Sequence, residues 1–259
     1  MKLIDSHSHF DFSEFDNDRA EALIRADKSD VSHIIVSATT AQRWSNVKNT
    51  VAQFSKKHLH CHAAYGLHPL FIDEHKTEDL INLKVWLDTE DPVAIGEIGL
   101  DYFMDNPNKE KQLEFFVEQL KLAKEFDLPV IVHARKSLDI VLKYLRQITG
   151  LRGSIHSFSG SEQQAKQLIE LGFYLGFGGP ITYTRATRLR KLVSTLPLES
   201  ILLETDSPDQ PDASHHGERN EPAYLLLVAQ AVAELRGIDV AEVAKITSFN
   251  AQTLFKIDR

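Results

Sequence analysis

Eight short runs rich in Val, Ile and Leu alternate with longer amphipathic stretches along all 259 residues, with no composition break or linker. His and carboxylate residues recur at the carboxyl ends of those runs. Together these observations predict an α/β protein, a (β/α)8 TIM barrel forming one domain over residues 1–259, rather than an open doubly wound sheet. A chain of about 250 residues routinely closes one such barrel.

The strands are expected near 2–7, 32–37, 60–66, 93–97, 129–133, 153–156, 173–177 and 200–204. Helical sequence lies between them. Over 109–126, Leu113, Phe116, Leu120 and Ala123 recur at helical spacing among Lys and Glu, giving one apolar stripe to pack on the barrel. Asp127-Leu128-Pro129 ends that helix, because the residue before proline disfavours the helical conformation, and Val130-Ile131-Val132 opens the next strand. Two terminal helices are expected over 220–236 and 239–256, with Gly237 capping the first.

Composition narrows the chemistry. A hydrophobic fraction of 42% and a charged fraction of 25% are those of an ordinary globular protein. Cys61 is the only cysteine, which excludes an intramolecular disulfide framework and any multi-thiolate zinc site. A bound metal must therefore be held by His and carboxylates. No basic leader precedes an apolar run, and no apolar stretch approaches the roughly 20 residues needed to span a bilayer. A cytoplasmic protein without membrane association is expected, and nothing implies a protein partner. The net charge of −8 argues against duplex binding through a broad basic face, but leaves room for nucleic acid held locally.

In a parallel barrel the carboxyl ends of all strands meet at one rim. Six residues are expected to converge there: His7 and His9 after strand one, Glu97 after strand four, His133 after strand five, His156 after strand six and Asp206 after strand eight. A period of two puts His7 and His9 on the same side of an extended segment. Imidazole and carboxylate suit Zn, Mn, Fe, Co or Ni, and carboxylate with water also accepts Mg. Six ligands exceed one tetrahedral ion. Two divalent ions sharing Glu97 is the economical arrangement, with His7, His9 and Asp206 on one and His133 and His156 on the other. Such a pair can activate water and stabilise attacking and leaving oxygens, and its residual positive charge favours an anionic substrate.

The motifs around these residues are Ile4-Asp5-Ser6-His7-Ser8-His9-Phe10, Gly66-Leu67-His68-Pro69, Gly96-Glu97-Ile98-Gly99-Leu100-Asp101, Pro129-Val130-Ile131-Val132-His133, His156-Ser157-Phe158-Ser159-Gly160 and Leu203-Glu204-Thr205-Asp206-Ser207-Pro208. The whole chain thereby resembles the TatD family of metal-dependent hydrolases in the amidohydrolase superfamily. The stretches 176–183 and 196–198 resemble its YjjV-like branch. The resemblance implies a TIM barrel with His7, His9, Glu97 and Asp206 on one ion, Glu97, His133 and His156 on the other, and Asp206 as general base. It also implies a phosphodiesterase or deoxyribonuclease acting on nucleic-acid ends or phosphorylated small molecules. The same superfamily geometry supports an alternative, hydrolysis of a small amide, ester or lactone. The family's Arg-x-x-Asn-x-Pro segment is shortened here to Arg219-Asn220-Glu221-Pro222, which puts substrate contacts from that loop in question.

Further candidates lie near the rim. His68 is expected to contact a substrate phosphate or leaving group, and Arg135 to pair with a phosphate. Asp5 and Glu204 flank ligands, where each either fixes an imidazole tautomer or holds the barrel together. His60 and His62 begin strand three, roughly 20 Å from the rim, and read as strand or bottom-face residues. His215 and His216 read as a solvated loop. Arg185, Arg188, Arg190 and Lys191 form a basic cluster, either a solvated helix face or a phosphate track. Tyr102, Phe103, Phe158 and Tyr183 are candidates for stacking a base.

Overall fold

The computed structural model describes residues 2–55, 59–103, 105 and 107–257. Eight strands run parallel in sequence order: β1 (Leu3–Ser8), β2 (Val31–Ser37), β3 (His60–Tyr65), β4 (Ala94–Asp101), β5 (Val130–Arg135), β6 (Gly153–Ile155), β7 (Phe173–Phe177) and β8 (Ile201–Leu203). Consecutive strands pair from β1 to β8. Backbone bonds from Asp206 N–H to His7 O (3.0 Å) and from His9 N–H to Ser207 O (2.7 Å) then join the end of β8 to β1. The expected TIM barrel is what the chain forms.

Helices α1 (Arg19–Lys28), α2 (Trp44–Phe54), α3 (Thr77–Glu90), α4 (Lys109–Glu125), α5 (Leu138–Gln147), α6 (Glu162–Glu170), α7 (Thr187–Thr195) and α8 (Leu225–Arg236) follow the strands in turn, and α9 (Val240–Phe255) ends the chain. On α4, Phe116, Leu120 and Ala123 of the expected stripe are buried, and Leu113 packs partly buried against the core. The segment expected as one helix from residue 220 starts instead with a 3-10 turn at Pro222–Tyr224, with proline at its first position, and runs on into α8. Gly237 ends α8 in the left-handed conformation, φ 65°.

The floor of the barrel is apolar. Ile4, Ile35, Ala64, Ala94, Ile131 and Leu202 form one buried cluster with Leu254 and Phe255 of α9 and with Ile257. Polar residues collect at the opposite, carboxyl end, so the packed core supports the rim from below. Strand β4 is longer than its sequence suggests. It continues past Glu97 to Asp101 through a register irregularity against β5 between Ile95 and Ile98. Gly99 makes that course possible: its φ is 138°, and a Cβ there would meet the His133 carbonyl oxygen at 2.0 Å.

Candidate metal centre

Glu97 lies 1% exposed at the middle of the rim, and its two oxygens divide the surrounding histidines. Oε2 is 3.1 Å from His7 Nε2 and 3.3 Å from His9 Nε2. Asp206 Oδ1 joins the same group at 3.2 Å from His7 Nε2 and 3.6 Å from His9 Nε2. Oε1 is 3.0 Å from His133 Nδ1, 2.9 Å from His156 Nε2 and 2.9 Å from His68 Nε2. The structure thus brings all six sequence-predicted ligand residues together, in two groups that meet at one carboxylate. His7 Nε2 and Glu97 Oε2 are buried with no hydrogen-bond partner, close together without hydrogen-bond geometry. Such orphaned nitrogen and oxygen lone pairs fit a cation, which would satisfy both at once.

The far sides of His7, His9 and His133 are also hydrogen-bonded. His9 Nδ1 donates to the Ser37 carbonyl oxygen at 2.9 Å, which leaves Nε2 with its lone pair facing Glu97. His7 Nδ1 lies 3.0 Å from Ser37 Oγ. His133 Nε2 is 3.0 Å from Asp101 Oδ2, so its Nδ1 faces inward. His156 Nδ1 is 3.6 Å from Glu204 Oε1, and that carboxylate also accepts the Ser157 N–H. Glu204 has room only because residue 176 is glycine: a Cβ there would stand 2.1 Å from Glu204 Oε2.

His68, expected as a substrate contact, stands in the cavity wall and is held from two sides. It caps the turn Pro69–Phe71, with Nδ1 accepting the Leu70 N–H at 3.0 Å. Its proton therefore resides on Nε2 and is donated to Glu97 Oε1. Asp5 reaches no imidazole. Its carboxylate accepts the Thr205 N–H at 2.9 Å and lies 2.6 Å from the Thr205 hydroxyl, tying β1 to the segment after β8.

Electrostatics follow from this crowding. Burial and His156 push His7 down, but Glu97 and Asp206 outweigh them and raise it to about 9. His156 is raised well above its ordinary value against its own burial, chiefly by Glu97 and Asp206. Burial opposes ionisation of Glu97, yet His156, His68 and His7 hold it well below the usual carboxylate range. Asp206 is likewise held at about 2, against its burial, by His156 and His7. Burial lowers His68 to about 4, in keeping with a neutral donor. Without cations the site is a set of ionised carboxylates balanced by imidazolium protons.

A cavity of about 550 Å³ opens above the centre, walled by His9, His68, Glu97, His133, His156 and Asp206, with Arg135 at its edge. Arg135 lies with its guanidinium carbon 3.9 Å from the centroid of the exposed Phe103 ring. Three residues that sequence reasoning passed over position the site. Asp101 receives His133, and Ser37 receives both His7 and His9. Gln210 donates to Asp206 Oδ2 at 2.5 Å and accepts from the Ser157 hydroxyl at 2.9 Å.

The remaining candidates separate. His60 and His62 lie at the amino end of β3, with His62 Nε2 bonded to His33 Nδ1 at 2.9 Å, remote from the rim. His215 is bound to Asp212 at 2.7 Å and stacked on Tyr224, whereas His216 faces Tyr183. In the 185–191 cluster, Arg190 donates to the Ile181 carbonyl oxygen at 3.0 Å, while Arg185, Arg188 and Lys191 are exposed. Phe158 is buried beside the cavity. In the shortened loop, Arg219 pairs with Asp18, Glu221 pairs with Arg25, and Asn220 Nδ2 donates to the carbonyl oxygens of Thr205 and Asp209, each at 2.7 Å. These residues brace the turn that carries Asp206. No helix among the described residues is long and apolar enough to cross a membrane.

Comparison with known proteins places the chain in a family. The family model for TatD-related DNases matches residues 4–256. The chain is 40% identical to the metal-dependent hydrolase YjjV of Escherichia coli K12 over 99% of its own length and 98% of that protein's. It is 35% identical to the metal-dependent hydrolase YabD of Bacillus subtilis 168, over 99% of this chain and all of that one. The crystal structure of Escherichia coli YjjV, a TatD homologue, superposes with a TM-score of 0.93 at 40% identity, covering 99% and 98% of the two chains. The chain belongs to the TatD-related DNase family and is a metal-dependent hydrolase built on a TIM barrel.

Proposed function

We propose that this hydrolase is a two-metal phosphodiesterase that acts on nucleic-acid ends or nucleotides. The observation that carries the reading is the division of ligand atoms between the two oxygens of Glu97. His7, His9 and Asp206 would hold one divalent cation on the Oε2 side, and His133 and His156 the other on the Oε1 side. Bound there, a pair of cations would supply charge neutralisation and would lower the pKa of an attacking water. His68 supports Glu97 from behind as a hydrogen-bond donor.

Asp206 is the general base. Its Oδ1 faces the histidines, and its Oδ2 is held by Gln210, which fixes the plane of the carboxylate. Held well ionised, it accepts a proton from the attacking water as the new P–O bond forms. The bond from phosphorus to the leaving ester oxygen breaks, and that oxygen takes up a proton from solvent water, to which Asp206 in turn returns its proton. Arg135, at the cavity edge, supplies a guanidinium that pairs with a non-bridging phosphate oxygen. The DNase description of the matching family model supports the substrate class.

The test is end-shortening of 3′-labelled single-stranded DNA by metal-stripped protein reconstituted separately with Mg, Mn, Zn, Co or Ni, beside Asp206→Asn. Activity with a cation that vanishes in the variant supports the reading. Equal inertness of both proteins with every cation rejects it and directs the search to small esters and lactones.

A further inference from the structure

A second cavity of about 590 Å³ adjoins the one above the metal centre. The two share Pro180, Asp209 and Gln210 as lining residues, so Gln210, which holds Asp206, also forms part of the boundary between them. The outer cavity is walled by Tyr183, Arg185, Pro211 and His216. Its volume falls within the range of a small-molecule pocket, with room for one nucleotide unit.

The Tyr183 ring is locked in place. Its hydroxyl donates to the carbonyl oxygens of Pro211 (3.1 Å) and Asp212 (3.2 Å), bridging the loops after β7 and β8. The exposed Arg185 carries its guanidinium carbon 5.2 Å from the ring centroid, and His216 meets the ring edge-on at 6.0 Å. A fixed aromatic face beside one cation serves a flat heterocycle attached to a phosphate, and base stacking on such a face is tolerant of sequence. The tie between Arg190 and the Ile181 carbonyl oxygen holds the segment from below.

We infer that this outer cavity is a subsite for the nucleotide next to the scissile phosphate, with Tyr183 stacking its base and Arg185 contacting the following phosphate. The inference rests on the phosphodiesterase reading and deepens it: the substrate is a strand of two or more nucleotides rather than a mononucleotide or a simple diester.

Two readouts test it on the full, metal-reconstituted chain. The first is binding of a fluorescein-labelled phosphorothioate hexathymidylate, followed by anisotropy. The second is the ratio of kcat/KM for single-stranded DNA to that for bis(p-nitrophenyl) phosphate. Tyr183→Ala should weaken binding and lower the ratio by roughly five- to hundredfold, whereas Tyr183→Phe, which keeps the ring, should stay within about twofold of wild type. Arg185→Gln should reduce the slope of log affinity against log salt by about 0.7, the single-strand value for one phosphate contact. The inference is overturned if Tyr183→Ala binds as wild type does. It is also overturned if Tyr183→Phe is as impaired as Tyr183→Ala, because the hydroxyl's loop anchor would then be the whole effect. Wild type that cleaves both substrates with a ratio unmoved by Tyr183→Ala rejects the subsite alone; wild type that cleaves neither rejects the phosphodiesterase reading beneath it.

Discussion

Replacing Asp101 by alanine separates the two halves of the centre. Asp101 Oδ2 receives His133 Nε2 at 3.0 Å, while its Oδ1 accepts the Phe103 N–H at 2.8 Å, so the carboxylate is aimed from two sides. Its backbone is clipped to α4 by Gln112, which accepts the Asp101 N–H at 2.8 Å and donates to the Asp101 carbonyl oxygen at 3.0 Å. Alanine removes the acceptor that fixes the tautomer and rotation of His133. Loss of such a partner typically costs about ten- to hundredfold in metal affinity. Because His133 faces Glu97 Oε1 while His7 and His9 face Oε2, the loss should fall on one cation of the two. Asp101→Asn keeps an oxygen acceptor without its charge and should fall between wild type and alanine. The assay is competitive titration of chelator-stripped protein with Zn or Co against a colorimetric chelator, with circular dichroism to confirm folding. Equal weakening of both cations, or affinities for both within about threefold of wild type, would refute the assignment of His133 to a separate half-site.

Protons and positioning give further tests. His7 is raised to about 9 and His156 well above its ordinary value, so at pH 7 the metal-free centre holds protons that incoming cations must displace. Calorimetry in buffers of differing ionisation enthalpy should register release of about two protons on loading, with affinity falling as pH drops; buffer-independent heats would contradict this. In the metal-free protein, the raised His7 contributes stability that is fully present below its ordinary value of 6.5 and is lost as pH rises through about 9. The Tm of the stripped protein should therefore decline across that window, and a flat profile there would count against the coupling. Asn220→Ala removes the bonds to the Thr205 and Asp209 carbonyl oxygens. It should cost about 1–3 kcal/mol in urea unfolding and lower kcat more than it raises KM, because it loosens the turn holding Asp206.

Much of this was legible in the chain. A parallel barrel gathers strand ends whatever their separation in sequence, so the chain alone places residues from His7 to Asp206 on one rim. What was not legible depends on register and local turns. Asp101 lies two steps of period two beyond Glu97, on the same face, and extending β4 past its expected end at residue 97 finds it. The orientation of His68 depends on a 3-10 turn whose Leu70 N–H selects its tautomer, a contact no spacing rule reports. Ser37 and Gln210 are ordinary residues in sequence, and only the lateral packing of β2 against β1 and the left-handed turn at Gln210 (φ 53°) make them neighbours of the ligands. Asp5 could serve an imidazole or the barrel, and the proximity of Thr205 decided for the barrel.

The most direct test of the central claim is anomalous diffraction from crystals soaked with Zn or Mn after chelator treatment. The account predicts two peaks about 3.5–4 Å apart, one on each side of the Glu97 carboxylate, the first ligated by His7, His9 and Asp206 and the second by His133 and His156. A single peak at full occupancy, or a pair not bridged by Glu97, would contradict it.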